Sequence, residues 1–131
     1  MASRPRPLSP HLQVYRLMYT MVLSILHRAT GLGLTLGLGL LAAWLLTLAT
    51  GPVGYARLRA ALGSPLGFAL LAGFATAFWF HFCNGLRHLN WDLGRGLDKL
   101  SARRSGAIVV VATLGLAIAT LAAMLHFVVR P

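Results

Sequence analysis

The sequence predicts an all-α integral membrane protein, a three-helix transmembrane bundle. Of its 131 residues, 57% are hydrophobic and only 11% are charged, whereas soluble proteins carry about 25% charged residues. The mean hydropathy is +0.73. Asp, Glu, Lys and Arg are absent from three stretches of 28, 27 and 25 residues, and a membrane-spanning helix needs about 20 apolar residues. We place the spanning helices at about 24–49, 66–90 and 107–129.

The chain before the first helix, residues 1–23, is predicted to be a cytoplasmic arm with an interfacial segment. Three prolines between Pro5 and Pro10 disfavour a regular helix there, and Leu12 to Met21 would then lie at the membrane interface. The first apolar run is too long for a cleaved signal peptide. Residues 24–131 form the three-span membrane domain.

The basic residues indicate the orientation of the chain in the membrane. Nine of the twelve Lys and Arg residues lie in the N-terminal segment or around the second connection, 91–106, and three lie in the first connection or the tail. The positive-inside rule then predicts an inner-membrane protein with a cytoplasmic N-terminus and a periplasmic C-terminus. Because the basic groups mark one membrane face, without a recognition motif, nucleic acid is excluded as a partner.

The second helix contains a polar stripe that apolar surroundings do not favour. His81, Gly85, His88 and Asp92 follow i, i+4, i+7, i+11 spacing and share one helical face. His81 lies about 22 Å from the outer end of this helix, inside the bilayer. A neutral imidazole at that depth either binds haem iron or donates a hydrogen bond to a neighbouring helix, and the residues alone leave both open.

The position of His126 bears on the second ligand that a low-spin haem needs. His126 lies near the outer end of the third helix, whereas His81 lies toward the cytoplasm. Their predicted depths differ by more than a haem radius, and His27 lies at the inner end of the first helix. We therefore expect a second ligand, if haem is bound, to come from another polypeptide.

Ser24, His27 and Arg28 form a second polar group, at i, i+3 and i+4 on one helix face. A hydroxyl beside a guanidinium suits a quinone carbonyl, which accepts hydrogen bonds, or a haem propionate, which needs a cation. Alternatively, Arg28 extends to lipid phosphates while Ser24 bonds back to its own helix. Arg87 and Arg95 are interpreted as ordinary basic residues at a cytoplasmic helix end, and Asp92 as a partner of His88 or Arg95.

Glycines in the first helix allow close approach of another surface. They are spaced for tight helix packing, which either stays within the three-helix unit or receives another subunit or a flat cofactor. The glycines are Gly31, Gly33, Gly37 and Gly39.

Two segments of the chain resemble a known family. The first comprises Arg6-Pro-Leu-Ser-Pro-His-Leu-Gln-Val-Tyr15 and Ser24-Ile-Leu-His-Arg-Ala-Thr-Gly31, and the second is His81-x-x-x-Gly85-x-Arg87-His88-x-x-x-Asp92. In this order they resemble the cytochrome b membrane-anchor subunit of succinate dehydrogenase (succinate:quinone oxidoreductase, respiratory complex II). With the three spans, the resemblance covers essentially the whole chain.

The resemblance implies that the chain is half of a heterodimeric haem-binding anchor. It would share haem b with a second membrane-anchor subunit and dock an iron–sulfur subunit and a flavoprotein subunit. His81 would be an axial ligand of the haem iron, and Ser24 and Arg28 would bind the quinone substrate. His27, Arg28 and His88 would lie at the haem propionates or edge.

Electrons from succinate would pass through flavin and iron–sulfur clusters in the other subunits to quinone. The chain would thus belong to an oxidoreductase without performing succinate chemistry itself. The alternative is a haem-free structural anchor. A small di-haem cytochrome b is disfavoured, because it needs four histidines paired at two depths.

Overall fold

The computed structural model describes residues 17–126, and every regular element in that range is helical. Helix α1 spans Tyr19–Thr50, α2 Pro52–Gly63, α3 Pro65–Asp92 and α4 Lys99–Met124. The predicted all-α fold is therefore confirmed. Most of the predicted arm, residues 1–16, and the end of the helix predicted at 107–129 lie outside the described residues.

Helices α1, α3 and α4 are the three that are long and apolar enough to cross a membrane. They contain 32, 28 and 26 residues, and only 0%, 6% and 17% of their most apolar windows is buried within the chain. At about 1.5 Å per residue α1 is roughly 48 Å long, more than the ~30 Å hydrocarbon core. The ends of α1 therefore extend beyond the hydrocarbon, and its sides are open to lipid or to other subunits.

The first spanning helix begins earlier than the predicted residue 24. Helix α1 starts at Tyr19, so Tyr19 to Met21, predicted to be interfacial, belong to the helix. The reason is packing: the Tyr19 ring lies over Gly106 of α4, where an added Cβ would approach Tyr19 Cε1 to 2.9 Å. Leu23, the next residue on this face, is buried against the same glycine.

The last spanning helix also begins earlier, at Lys99 rather than 107. Asp98 caps it, because its Oδ1 accepts the backbone N–H groups of Leu100 at 3.1 Å and Ser101 at 2.9 Å. Hydrogen bonds from Ser101, first from its hydroxyl and then from its backbone, hold the pKa of Asp98 below its ordinary value. The predicted connection 91–106 is thus reduced to residues 93–98.

The first connection contains a helix that the sequence analysis missed. Gly51, with φ +117°, lies in a backbone region that favours glycine, and Pro52 starts α2 directly after it. At the other end Ser64 caps α3, accepting the Gly67 N–H at 3.1 Å. Helix α2 packs against α1 and α3, which brings the C-terminal end of α1 close to the N-terminal end of α3.

Helices α3 and α4 are joined by a row of polar contacts. Near the middle of α3, Trp79 Nε1 donates to Thr120 Oγ1 at 2.8 Å. Toward the C-terminal end of α3, Arg87 Nε donates to Ser105 Oγ at 3.1 Å, and its Nη2 donates to the Ala102 carbonyl at 3.0 Å. These bonds fix the register of α4 against α3.

Arg87 differs from its interpretation as an ordinary basic residue at a helix end. Its side chain is only 5% exposed. Besides its bonds to α4, it donates to Asn84 Oδ1 at 3.2 Å and lies 4.0 Å from the centre of the Trp91 ring. Five donors in a rigid fork suit this buried role, whereas Arg95 is exposed.

Replacing Gly67 with Ala should destabilise the fold at the N-terminal end of α3. The new Cβ would lie 2.6 Å from Leu62 Cα, a backbone atom of α2 that cannot rotate away. Overpacking of this kind costs about 1–3 kcal/mol. We expect a lower thermal denaturation temperature for the purified complex. Gly73→Ala on the same helix is the matched control, since nothing lies within 4 Å of its Cβ position; equal stability of the two variants would contradict the packing described.

Candidate functional site

Three histidines from α1 and α3 come together inside the bundle. The His27 and His81 rings are stacked, with centroids 3.9 Å apart and planes 10° from parallel. The His88 ring lies 4.9 Å from that of His27. Spacing alone predicted that His81 and His88 share a face of α3; the structure adds His27, which contacts both.

The hydrogen bonds of His81 identify its tautomer. Its Nδ1 lies 3.0 Å from the His27 carbonyl oxygen and 3.3 Å from Thr30 Oγ1. A carbonyl can only accept, so Nδ1 must carry the hydrogen, and a neutral imidazole then keeps its lone pair on Nε2. Metal-ligating histidines typically have this arrangement, in which one ring nitrogen donates to a carbonyl and the other binds the metal.

Gly31 permits the close approach of His81 to α1. A Cβ at this position would lie 3.0 Å from His81 Cε1, closer than an unstrained contact allows. Gly37 similarly faces the Phe74 ring, 2.7 Å from its Cβ position, whereas Gly33 and Gly39 face open space. Two of the four glycines thus pack within the chain, as one of the two alternatives predicted, and the other two leave an open surface.

A largely apolar groove of about 860 Å³ adjoins His81 between the helices. Its wall includes Thr35, Phe74, Phe78 and Trp79 together with Gly31 and Gly37. Apolar and aromatic walls with one convergent polar group are typical of cofactor sites. Although three histidines cluster beside it, no set of three His, Cys or acidic side chains in residues 17–126 is arranged to hold a bare metal ion.

Ser24 and Arg28 lie on the same stretch of α1 as His27, about one turn apart. Ser24 is half-buried and Arg28 is exposed. The hydroxyls of Thr30 and Thr35 bond back to carbonyls of their own helix, but no hydrogen bond in the described chain engages Ser24 Oγ or the Arg28 guanidinium. Within residues 17–126, Ser24 therefore does not bond back to its own helix.

Two other predicted positions behave differently. The Trp79–Thr120 bond aligns those residues at one level along the bundle. At about 1.5 Å per residue, His126 lies roughly 9 Å from that level toward the α2 end, and His81 lies roughly 3 Å from it in the opposite direction. This agrees with the predicted separation of His126 from His81. The predicted pairing of Asp92 with His88 or Arg95 is absent from residues 17–126; His88 instead contacts Trp91, with ring centroids 5.1 Å apart.

Sequence reasoning missed the contributions of Thr30 and the His27 backbone. The carbonyl of His27 bonds the His81 ring, yet a backbone group leaves no trace in residue identity. The signal that could have identified them was the close spacing of His27, Thr30 and Gly31 on α1, at the same level along the bundle as His81 on α3.

Comparison with known proteins bears on this arrangement. The family model described as succinate dehydrogenase/fumarate reductase transmembrane subunit matches residues 2–128. The chain is 42% identical over 116 residues to a succinate dehydrogenase cytochrome b556 subunit of Paracoccus denitrificans, covering 88% of this chain and 89% of that protein. A Rickettsia felis cytochrome b556 subunit is 39% identical over 109 residues, covering 83% and 85% of the two chains.

A mitochondrial relative is similar over most of this chain as well. The succinate dehydrogenase cytochrome b560 subunit of Homo sapiens is 42% identical over 113 residues, which cover 83% of this chain and 66% of that protein. The family match and these relatives agree with the three apolar helices of the fold. The chain therefore belongs to the succinate dehydrogenase/fumarate reductase transmembrane subunit family, as a cytochrome b membrane anchor of complex II.

Proposed function

We propose that this anchor binds haem b jointly with a second membrane-anchor subunit and forms part of a quinone-reduction site. Electrons from succinate pass through the flavoprotein and iron–sulfur subunits to quinone. One observation carries the haem part of the proposal: His81 donates from Nδ1 to the His27 carbonyl at 3.0 Å, which leaves Nε2 as the ligating atom.

The residues around His81 suit a haem. The groove beside it has apolar and aromatic walls, and Gly31 removes a side chain that would displace the imidazole. When bound, the haem supplies one-electron redox chemistry at its iron. This chain's part is to hold one axial ligand in a fixed tautomer and to exclude water. His27 and His88, in contact at the inner end of the cluster, together with Arg28 would interact with the propionates or the haem edge.

The second ligand of the haem iron would come from the partner anchor. His126 lies too far along α4 to reach an iron held by His81, and the His27 ring stacks on the His81 ring instead of lying across a haem from it. Gly33 and Gly39 offer an open surface on α1 for close packing of another helix. These two features support a heterodimeric anchor with a shared haem.

Ser24 and Arg28 account for quinone binding. The Ser24 hydroxyl donates or relays a hydrogen bond to a quinone carbonyl, and the Arg28 guanidinium stabilises the negative charge that develops as the ring takes up electrons. Both belong to the cytoplasmic part of α1 in the proposed orientation, where protons are available for quinol formation. The soluble subunits that deliver the electrons would dock on the same face.

The second candidate function is a haem-free structural anchor. This function requires the histidine cluster to be stable without haem, through its own contacts, and the stacking of His27 on His81 is such a contact. A reduced-minus-oxidised spectrum of the purified complex distinguishes the two functions, because only the proposed one gives a b-type band.

The topology is testable by reporter fusions. We expect a reporter fused after Pro131 or within α2 to be exported, and one placed in residues 93–98 to remain cytoplasmic, because the basic residues concentrate on the latter side. Alkaline phosphatase and green fluorescent protein fusions report the two compartments. An exported 93–98 reporter would contradict the orientation and move Ser24 and Arg28 to the wrong face.

The haem ligand is testable by substitution in the assembled complex. His81→Ala should abolish or strongly perturb the b-type spectrum, while His126→Ala, the matched control, should leave it nearly unchanged. The chain expressed without its partner should not assemble bis-histidine haem. The reverse pattern for the two histidines, or stoichiometric low-spin haem in the lone chain, would refute the ligand assignment.

The quinone site is testable with two assays on the same enzyme. A hydrogen bond to a charged group contributes roughly 1.5–3 kcal/mol, so Arg28→Leu should lower quinone reduction by about one to two orders of magnitude. Ser24→Ala should cause a smaller loss. Succinate oxidation with a soluble dye should survive both changes, and Arg57→Leu in α2 controls for the loss of a positive charge. Unchanged quinone reduction in assembled Arg28→Leu enzyme would place the site elsewhere.

A further inference from the structure

We propose that Thr30 and Gly31 are positioning residues that fix the hydrogen bonding and the ring plane of His81, and thereby set the redox potential of the haem. The inference rests on the proposed role of His81 as an axial ligand. It concerns residues of this chain that contact the His81 ring without binding iron themselves.

The Thr30 hydroxyl lies where it can accept a hydrogen bond from His81. Its Oγ1 is 2.8 Å from the Leu26 carbonyl oxygen and 3.0 Å from that of His27, so it donates its single hydrogen within α1. The oxygen then keeps a lone pair for His81 Nδ1, 3.3 Å away. The Nδ1–H is thus shared between the His27 carbonyl and the Thr30 hydroxyl.

Gly31 and His27 confine the same ring sterically. From the Cβ position of Gly31, the distances are 3.0 Å to His81 Cε1, 3.6 Å to Nδ1 and 3.9 Å to Nε2. The His27 ring covers one face of His81 at a centroid distance of 3.9 Å. The imidazole is therefore held by two acceptors, a stacked ring and a glycine, and it cannot rotate without breaking a hydrogen bond or a stacking contact.

These contacts have two separate effects on a bound iron. A hydrogen bond from Nδ1–H to an acceptor raises the basicity of the ligating Nε2, and stronger donation favours the oxidised iron. Losing the Thr30 acceptor should therefore shift the midpoint potential to a more positive value. A Cβ at residue 31 should instead turn the imidazole, and it would thereby change the orientation in which His81 presents Nε2 to the iron it would hold.

The test uses the assembled complex and measures the haem rather than turnover. Thr30→Val keeps the branched shape and removes the acceptor, Thr30→Ser restores the hydroxyl, and Gly31→Ala adds the Cβ. The matched controls are Thr47→Val on α1, whose hydroxyl bonds only to the Trp44 carbonyl, and Gly73→Ala on α3, whose Cβ position faces open space. The readouts are haem content per flavin, the midpoint potential by redox titration, and the electron paramagnetic resonance spectrum of the oxidised haem.

We expect a more positive potential in Thr30→Val, return toward the wild-type value in Thr30→Ser, and a shifted low-spin resonance in Gly31→Ala, with both controls unchanged. Haem loss in Thr30→Val that Thr30→Ser restores also supports the proposal; equal loss in both overturns it. Wild-type potentials and spectra in haem-replete Thr30→Val and Gly31→Ala complexes would overturn this inference alone. Absence of haem from the wild-type complex would overturn the proposed function as well.

Discussion

A hydrogen bond between two helices, from His81 Nδ1–H of α3 to the His27 carbonyl of α1, organises the centre of this anchor. An intrahelical carbonyl can accept this second bond because oxygen has two lone pairs. In a membrane, with no water to compete, such a bond orients both partners firmly. The stacking of the His27 ring, the glycine opposite His81 and the approach of α1 to α3 all depend on it.

The opposite side of α3 is held by a different chemistry. Arg87 satisfies acceptors on α4 and on its own helix while its guanidinium covers the Trp91 ring. A buried cation is expensive unless its donors are paired, so Arg87 and its acceptors must be kept together. Helix α3 is therefore held on two faces, by His81 toward α1 and by Arg87 toward α4. These contacts prevent α3 from rotating about its axis, so the positions of its histidines are fixed.

Features of this structure that depend on residue type and spacing along one helix were predicted from the sequence, and contacts between helices were not. Charge-free stretches located the three spans, because lipid excludes charge. The same reasoning misplaced the start of α4, since Lys99, Arg103 and Arg104 were assigned to a connection although Asp98 caps a helix there. Helical spacing related His81 to His88 and Ser24 to Arg28, but contacts between helices, such as those of His27 and Arg87, depend on register and carry no spacing signal.

The sparse internal burial of the spanning helices has a consequence for biogenesis. None of the most apolar stretch of α1, and 17% of that of α4, is buried by the rest of the chain. Three buried polar atoms also have no hydrogen-bond partner in residues 17–126: His27 Nδ1, Asn84 Nδ2 and Thr113 Oγ1. A newly inserted copy thus has few contacts of its own to protect it from membrane quality-control proteases. Its cellular abundance should follow that of the subunits with which it assembles.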